Sequence, residues 1–313
     1  MIFRLSVLFA TLCLASLMIG TKQIMWSELF SFSTDAWLTL TASRIPRLIA
    51  LILTGIGLSV SGVILQHIVR NKFVEPATSG GMDAAKLGIL VSLTMIPSAS
   101  TGSKMMFALV FCFAASLIFI YIISRIQLKR SVLIPVLGLM YGSVLSAIAE
   151  FYAYQYNILQ SMQGWLLGDF SRVVQGHYEL IYIILPIIVL AYVYAHRFTV
   201  VGMGEEMAAS LGLSYVTTAA LGLILVSVTV AASVITIGAI PFVGLVVPNL
   251  VALKYGENLS RTLPIVALGG ACLLLLCDVF GRLVIYPFEV PIGLTAGGLG
   301  GVVFLMLIMR GVR

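Results

Sequence analysis

Charge is scarce in this sequence: Asp, Glu, Lys and Arg make up 10% of its 313 residues, against about 25% in ordinary soluble domains. Histidine is scarcer still. His67, His177 and His196 are far apart and lack partners at metal-ligand spacing, so no metal site is expected. The four cysteines, Cys13, Cys112, Cys272 and Cys277, all fall in apolar stretches and no two have CxxC spacing. They read as small apolar core residues, not as redox or metal groups. A phosphate-binding loop is also missing. Gly81-Met-Asp-Ala-Ala-Lys86 comes nearest, but Ala85 and Leu87 stand where the fingerprint needs Gly before the lysine and Ser or Thr after it. Neither HExxH nor GxSxG occurs. No catalytic group, no ATP hydrolysis by this chain and no cofactor in it are expected.

What the chain has instead is length of apolar run. Hydrophobic residues make up 60% and the mean hydropathy is +1.12. No soluble fold of this size hides so much apolar surface, so lipid must be the solvent. A crossing takes roughly 20 apolar residues for about 30 Å of hydrocarbon, which leaves room for about ten and no separate soluble domain. The expected fold is an all-α, polytopic membrane bundle, a single transmembrane domain over residues 1–313. Helices are expected near 5–20, 47–66, 78–97, 105–124, 131–154, 178–195, 216–235, 241–254, 263–281 and 291–309. Pro241 and Pro248 should bend or break the eighth. Residues 1–20 mimic a secretory signal peptide; a retained first helix is the expectation, because its loss would leave an odd count.

The formal charge of +6 is dispersed between apolar runs and forms no patch, so nucleic acid is not an expected partner. With both termini cytoplasmic, the inner segments carry Arg4, Arg70, Lys72, Arg125, Lys129, Arg130, Arg197, Lys254, Arg261, Arg310 and Arg313. The outer ones carry Lys22, Arg44, Arg47, Lys104, Arg172 and Arg282, and Lys86 falls within a helix. That bias supports both ends inside. Arg44, Arg47 and Arg282 stand on the outer side against it and need their own explanation.

Several residues could carry function. Asp83 and Lys86 are three apart and can pair across one helical turn, and ionisable groups at membrane depth usually face protein or water. Glu150, Asp278 and Glu289 lie near helix ends. A proton-coupled secondary transporter would use such carboxylates, but only Asp83 is placed mid-helix. Gly293/Gly297, Gly297/Gly301 and Gly138/Gly142 are GxxxG steps that allow close helix approach, within one bundle or between subunits. Arg70–Pro76 reads as a charged cytoplasmic turn followed by Ser79-Gly-Gly81. Gly202–Gly212 contains a short helix, Glu205–Leu211, with small residues on one side, suited to a groove on a partner or to an ordinary loop.

In order along nearly the whole chain, a set of motifs resembles the vitamin B12/iron–siderophore (FecCD-type) family of ABC permeases. They are Arg44-Ile-Pro-Arg47; Ser61-Gly62, Gln66 and Arg70-Asn71; Trp165-Leu-Leu-Gly168; Phe242-Val-Gly-Leu-Val-Val-Pro-Asn249; Leu263-Pro264; Asp278 with Arg282; and Glu289-Val-Pro-Ile-Gly293 with Thr295-Ala296. Lys72 and Asn249 depart from the family's usual Pro and His. The resemblance implies a permease in a bacterial cytoplasmic (inner) membrane, surrounded by lipid, passing a ferric siderophore without chemical change. It implies a second permease subunit, two ATP-binding subunits and an extracytoplasmic siderophore-binding protein. The Arg70-Asn-Lys-Phe73 form is similar to a subgroup serving catecholate-type siderophores, whose partner permease is often a paralogue; a heterodimer follows. Residue by residue, the resemblance places coupling to the ATPase on Gly204, Glu205, Glu206, Ala208, Ala209, Leu211 and Gly212, within a segment near 202–214. It places binding-protein docking on Arg44, Arg47 and Arg282; Gly293, Thr295, Gly297 and Gly301 are the expected pathway or interface residues of the last helix. It also implies halves related by an inverted repeat, of which Gly57–Gln66 and Gly238–Asn249 carry a faint echo.

Overall fold

The computed structural model describes residues 2–20, 34–96, 98–125 and 133–311. Lys22, Gln127, Lys129, Arg130 and Arg313 lie outside them. Among the described residues there is no β-strand. Helix α1 (Ile2–Met18) is followed by α2 (Thr34–Thr39), which continues through a π-helical turn, Leu40–Arg44, into α3 (Ile45–Val69). Then come α4 (Gly81–Met95), α5 (Thr101–Arg125), α6 (Leu133–Gln155) and the short α7 (Leu159–Leu166). A 3-10 turn, Glu179–Ile183, leads into α8 (Ile184–Val193) and α9 (Ala195–Gly202), bent by 62° from it. The chain closes with α10 (Glu205–Ser210), α11 (Tyr215–Thr236), α12 (Val243–Tyr255), α13 (Leu259–Val284) and α14 (Ile292–Gly311).

Each expected segment coincides with a helix. Not all of them are full spans. Among the described residues, five helical stretches are long and apolar enough to cross a membrane, and the bent α8–α9 pair can make a sixth. α4 and α12 are 15 and 13 residues long, about 20–22 Å at 1.5 Å per residue, which is short of a hydrocarbon core. They are short because the chain before each is non-helical deep in the bundle.

Helix α3 forms the axis. Seventeen of its residues are buried, from Pro46 to Ile68, and it lies against α11, α12 and α13. Its glycines make the approach possible. A Cβ on Gly62 would stand 1.9 Å from the Gly244 carbonyl oxygen of α12, and one on Gly55 2.5 Å from the Gly270 carbonyl oxygen of α13. Gly138, of the Gly138/Gly142 step, receives Thr78, whose carbonyl oxygen would be 2.0 Å from an added Cβ. The outward faces of α5 and α6 are the reverse: Met106, Val110, Leu139, Met140, Val144 and Phe151 are among the exposed apolar side chains.

Pro241 falls before α12, where it stops nothing, and Pro248 sits inside the helix without ending it. A proline cannot donate to the carbonyl four residues back. That freed acceptor, Gly244 O, takes the Gln66 Nε2 donor from α3 at 3.3 Å.

The Gly62 contact is with backbone and cannot relax by side-chain rotation. Gly62→Ala should cost about 1–3 kcal/mol through overpacking, whereas Gly298→Ala, with nothing within 4 Å, should be neutral. Thermal unfolding of the purified protein tests the pair, and equal midpoints would contradict this packing.

Candidate functional site

Between α3 and α4 the chain does not stay at the membrane surface. Asn71, Val74, Glu75 and Ser79 are all buried, so the reading of Arg70–Pro76 as a charged cytoplasmic turn holds only for its exposed start at Arg70 and Lys72 and is corrected beyond it: from Val74 the segment folds back into the bundle. Arg70 itself closes α3 in a left-handed conformation, φ 53°. Glu75 reaches the start of α12, where its Oε1 accepts the Phe242 N–H at 2.8 Å and its Oε2 lies 3.3 Å from where a Cβ on Gly244 would be. A helix N-terminus has unpaired N–H donors and partial positive charge, so a carboxylate suits it. The position is deep, because Gly244 is level with Leu58 and Gly62, midway along α3. Asn249 secures the same segment, its Nδ2 donating to Lys72 O and Leu245 O, each at 2.7 Å.

The second non-helical stretch, 237–242, is covered by the end of the Trp165–Gly168 motif. Asp169 N–H donates to Ile237 O at 3.0 Å, Ala239 N–H to Leu166 O at 3.4 Å, and Gly293 N–H to Gly168 O at 3.1 Å. Gly168 has φ +65°, and a Cβ there would lie 2.8 Å from Ala239 O. Glycine is required on both counts.

A polar row crosses from α4 to α6. Lys86 Nζ stands 3.3 Å from Asp83 Oδ1 and donates to Ser146 Oγ at 2.6 Å. Ser146 in turn donates to Glu150 Oε1 at 3.1 Å. The Asp83–Lys86 pair expected from spacing is present, and the row adds Ser146 and Glu150. Lys86 borders two spaces, a cavity of 290 Å³ and a more open one of 620 Å³.

The three outer arginines are each engaged within the chain. Arg44 and Arg282 are buried, at 7% and 5% exposure. Arg282 Nη1 donates to Ser16 O at 3.0 Å and Ile19 O at 2.7 Å, and Arg44 Nη1 to Leu17 O and to Met18 O, the latter at 3.1 Å. These are the carbonyls left without partners at the end of α1, and cations complement that helix terminus. Arg47 holds Asp278 Oδ1 from Nη2 at 2.7 Å and Glu289 Oε2 from Nη1 at 2.7 Å. Arg282 Nη2 pairs with Asp278 Oδ2. Asp278 and Glu289 are therefore occupied at the centre of this cluster and are not merely reaching the interface.

At the opposite end, α10 runs Glu205–Ser210 between Gly204, φ +111°, and Gly212, φ +74°. Glu205 and Glu206 occupy its first turn. Of its small residues, Ala208 turns inward and Ala209 and Ser210 outward. Ala208 is fully buried against the bundle, and the exposed face carries Met203, Met207 and Leu211, four apart in sequence, with Ala209 also exposed. Nearby, Lys72 Nζ stands 2.5 Å from Glu257 Oε1, and its hydrogen bond holds that carboxyl below the usual range. In α14, Gly293 approaches Leu167 O at 2.4 Å from an added Cβ, Gly297 meets Pro241 at 3.7 Å, and Gly301 faces open space. Thr295 is tied to Cys277 O at 3.2 Å. The first GxxxG step thus starts with internal packing, and the second ends on an unfilled face.

A family model, the FecCD transport family, matches residues 8–310. The chain belongs to that family. It is 64% identical over 313 residues, all of both chains, to the ferric-anguibactin transport system permease protein of Vibrio anguillarum. It is 44% identical to the petrobactin import system permease protein of Bacillus subtilis, over 98% of this chain and 97% of the other. Identity to the hemin transport system permease protein of Yersinia pestis is 31%, over 98% and 94%. Among solved structures, one described as a metal-chelate type ABC transporter in an inward-facing conformation covers 98% of both chains with a TM-score of 0.82 at 24% identity, a likeness of fold. This FecCD chain is a multi-pass membrane permease of the ABC-importer kind, and no enzymatic activity is assigned to it.

Two FecCD-chain residues went unnoticed in the sequence. Glu75 was hidden inside a stretch that reads as surface-polar, and the only available signal was a carboxylate directly before Pro76 and the Ser79-Gly-Gly81 turn. Ser146 gave none. The charge cluster makes a direct prediction. Removing one member of a buried ion-pair network costs about 3–5 kcal/mol, so Asp278→Asn should lower the thermal midpoint strongly. Glu289→Gln, with the Glu289 side chain 25% exposed, should lower it much less. Equal midpoints for both variants and wild type would contradict the arrangement.

Proposed function

We propose that the chain is one permease subunit of an ATP-driven importer that carries a ferric siderophore, of catecholate type, inward across the bacterial cytoplasmic membrane. The observation that carries this reading is end-to-end identity of 64% and 44% with permeases named for siderophore-type iron carriers. The machine then comprises a second, paralogous permease, two ATP-binding subunits and an extracytoplasmic binding protein. The exposed apolar faces of α5 and α6 and the open glycines of α14 supply surface for lipid and for the second permease.

The cycle is alternating access. α10 takes the ATPase contact, through Met203, Met207 and Leu211 with Glu205 and Glu206, while buried Ala208 transmits movement into α9 and the bundle. Gly204 and Gly212 allow the chain to turn sharply on either side of α10. At the other end the arginine cluster holds the outer ends of α1, α3 and α13 together. A docking binding protein meets the edge of this cluster, Arg47 and Glu289, instead of three free guanidinium groups. The siderophore passes without covalent change, and no resident cofactor takes part.

The test is uptake of radioiron-labelled ferric siderophore by cells lacking this gene and complemented with variants. Wild type should restore uptake. Leu211→Asp with Met207→Asp should abolish it and weaken co-purification of the ATPase, with membrane insertion unchanged. Uptake that persists without the ATPase and follows the proton gradient would contradict the proposal in favour of a secondary transporter, for which the Asp83–Lys86–Ser146–Glu150 row would then be the candidate path.

A further inference from the structure

Lys104 and Arg172 stand apart from the other basic residues near the outer end. Arg44, Arg47 and Arg282 are each committed to carbonyls or carboxylates, and Lys86 to Asp83 and Ser146. Among the described residues, Lys104 and Arg172 have no ion-pair partner. Both line the 290 Å³ cavity bounded by α4, the start of α5, the chain from Met162 to His177 and the last turn of α11. The cavity's one acidic group, Asp169, is already occupied: its carboxylate accepts Ser171 N–H at 2.8 Å and Ser171 Oγ–H at 2.7 Å. Arg172 reaches over Gly164, its Nη2 3.6 Å from where a Cβ would be; the missing side chain leaves the space open. Much of the remaining wall is apolar, including Ile89, Leu90, Leu93 and Ile235.

We infer that this cavity binds an anionic, oxygen-rich arm of the iron chelate on its way into the permease, with Lys104 and Arg172 as the contacting cations. This rests on the siderophore reading above. Two cations without ion-pair partners, against one carboxylate, leave the cavity net positive, and beside low-dielectric walls they attract an anion more strongly than the same groups on open surface; a guanidinium fork matches paired oxygens. The size is right for an arm and too small for a whole complex, since pockets for small molecules run about 300–1,000 Å³. The rest of the chelate has room next door. The 620 Å³ space shares Lys86, Met162, Gly164 and Leu166 with the cavity and adds Gln160, Gln163 and Glu150. Lys86, on the border of both, is the next cation along. By the charge bias of the loops, Thr101 and Arg172 are at the extracytoplasmic end, where cargo arrives.

Equilibrium binding to the assembled transporter in phosphatidylcholine nanodiscs tests this, with two probes: the anionic tris-catecholate complex of radioiron and a neutral tris-hydroxamate complex. Lys104→Gln and Arg172→Gln should each weaken the anionic probe about tenfold, the loss of one charged hydrogen bond. Arg172→Lys should restore most of the Arg172→Gln loss, and the neutral probe should be indifferent to all three. Unchanged affinity of the anionic probe in the double Gln variant overturns the inference, as does equal loss for both probes. Displacement of the anionic probe by added phosphatidylglycerol overturns it too, by placing a lipid headgroup there. If the double variant binds like wild type while the transporter still imports iron chelates, the cavity inference fails alone. If wild type neither binds nor imports any iron chelate, the siderophore reading fails with it.

Discussion

One carboxylate at one helix start governs the centre of this bundle. In hydrocarbon there is no water to satisfy a backbone N–H or C=O, so non-helical chain at membrane depth must find every partner inside the protein. Here two such stretches, 71–80 and 237–242, lie deep in the helix bundle. Glu75 supplies an acceptor to the Phe242 amide at the start of α12, Gln66 fills the carbonyl that Pro248 releases, and Asn249 holds the re-entrant backbone at Lys72. The 166–169 segment covers the second stretch. Without these contacts α12 would begin with unpaired donors in a medium where each costs several kcal/mol.

The glycine contacts follow from that arrangement. Side chains such as Gln66 reach the α12 backbone only because α3 and α12 lie within van der Waals distance, and Gly62 against Gly244 is what permits it. Gly138 does the same for Thr78, so the re-entrant segment is held between α12 on one side and α6 on the other. The result is a tightly buried half built on α3, α11, α12 and α13, and a looser half, α5 and α6, whose apolar surface is left for lipid and a partner. A transporter needs both, a stiff element to carry force from α10 and a surface that can slide.

Much of this was legible in the sequence, for physical reasons. Apolar runs closed by charge or by proline and glycine located the helices, because the membrane imposes a length on each. The Asp83–Lys86 pair followed from helical spacing. What could not be read was pairing across distance. Asp278 is 231 residues from Arg47 and 262 from Ser16, so counting arginines by side of the membrane could not show that they cap α1 and hold acids. Six residues of α10 make too little helix for composition to say which side is covered, so the inward turn of Ala208 was not readable either. Glu75 shows the same blindness: a charged residue in a polar stretch reads as surface until the chain is seen to turn back.

The most direct test of this account is hydrogen–deuterium exchange of the 238–246 backbone in Glu75→Ala against wild type. The Phe242 amide, whose acceptor is the Glu75 carboxylate, should lose protection in the variant, while the amides of α5 keep theirs. Wild-type protection at the start of α12 in the absence of the Glu75 carboxylate would contradict the claim that this side chain holds the broken centre of the bundle together.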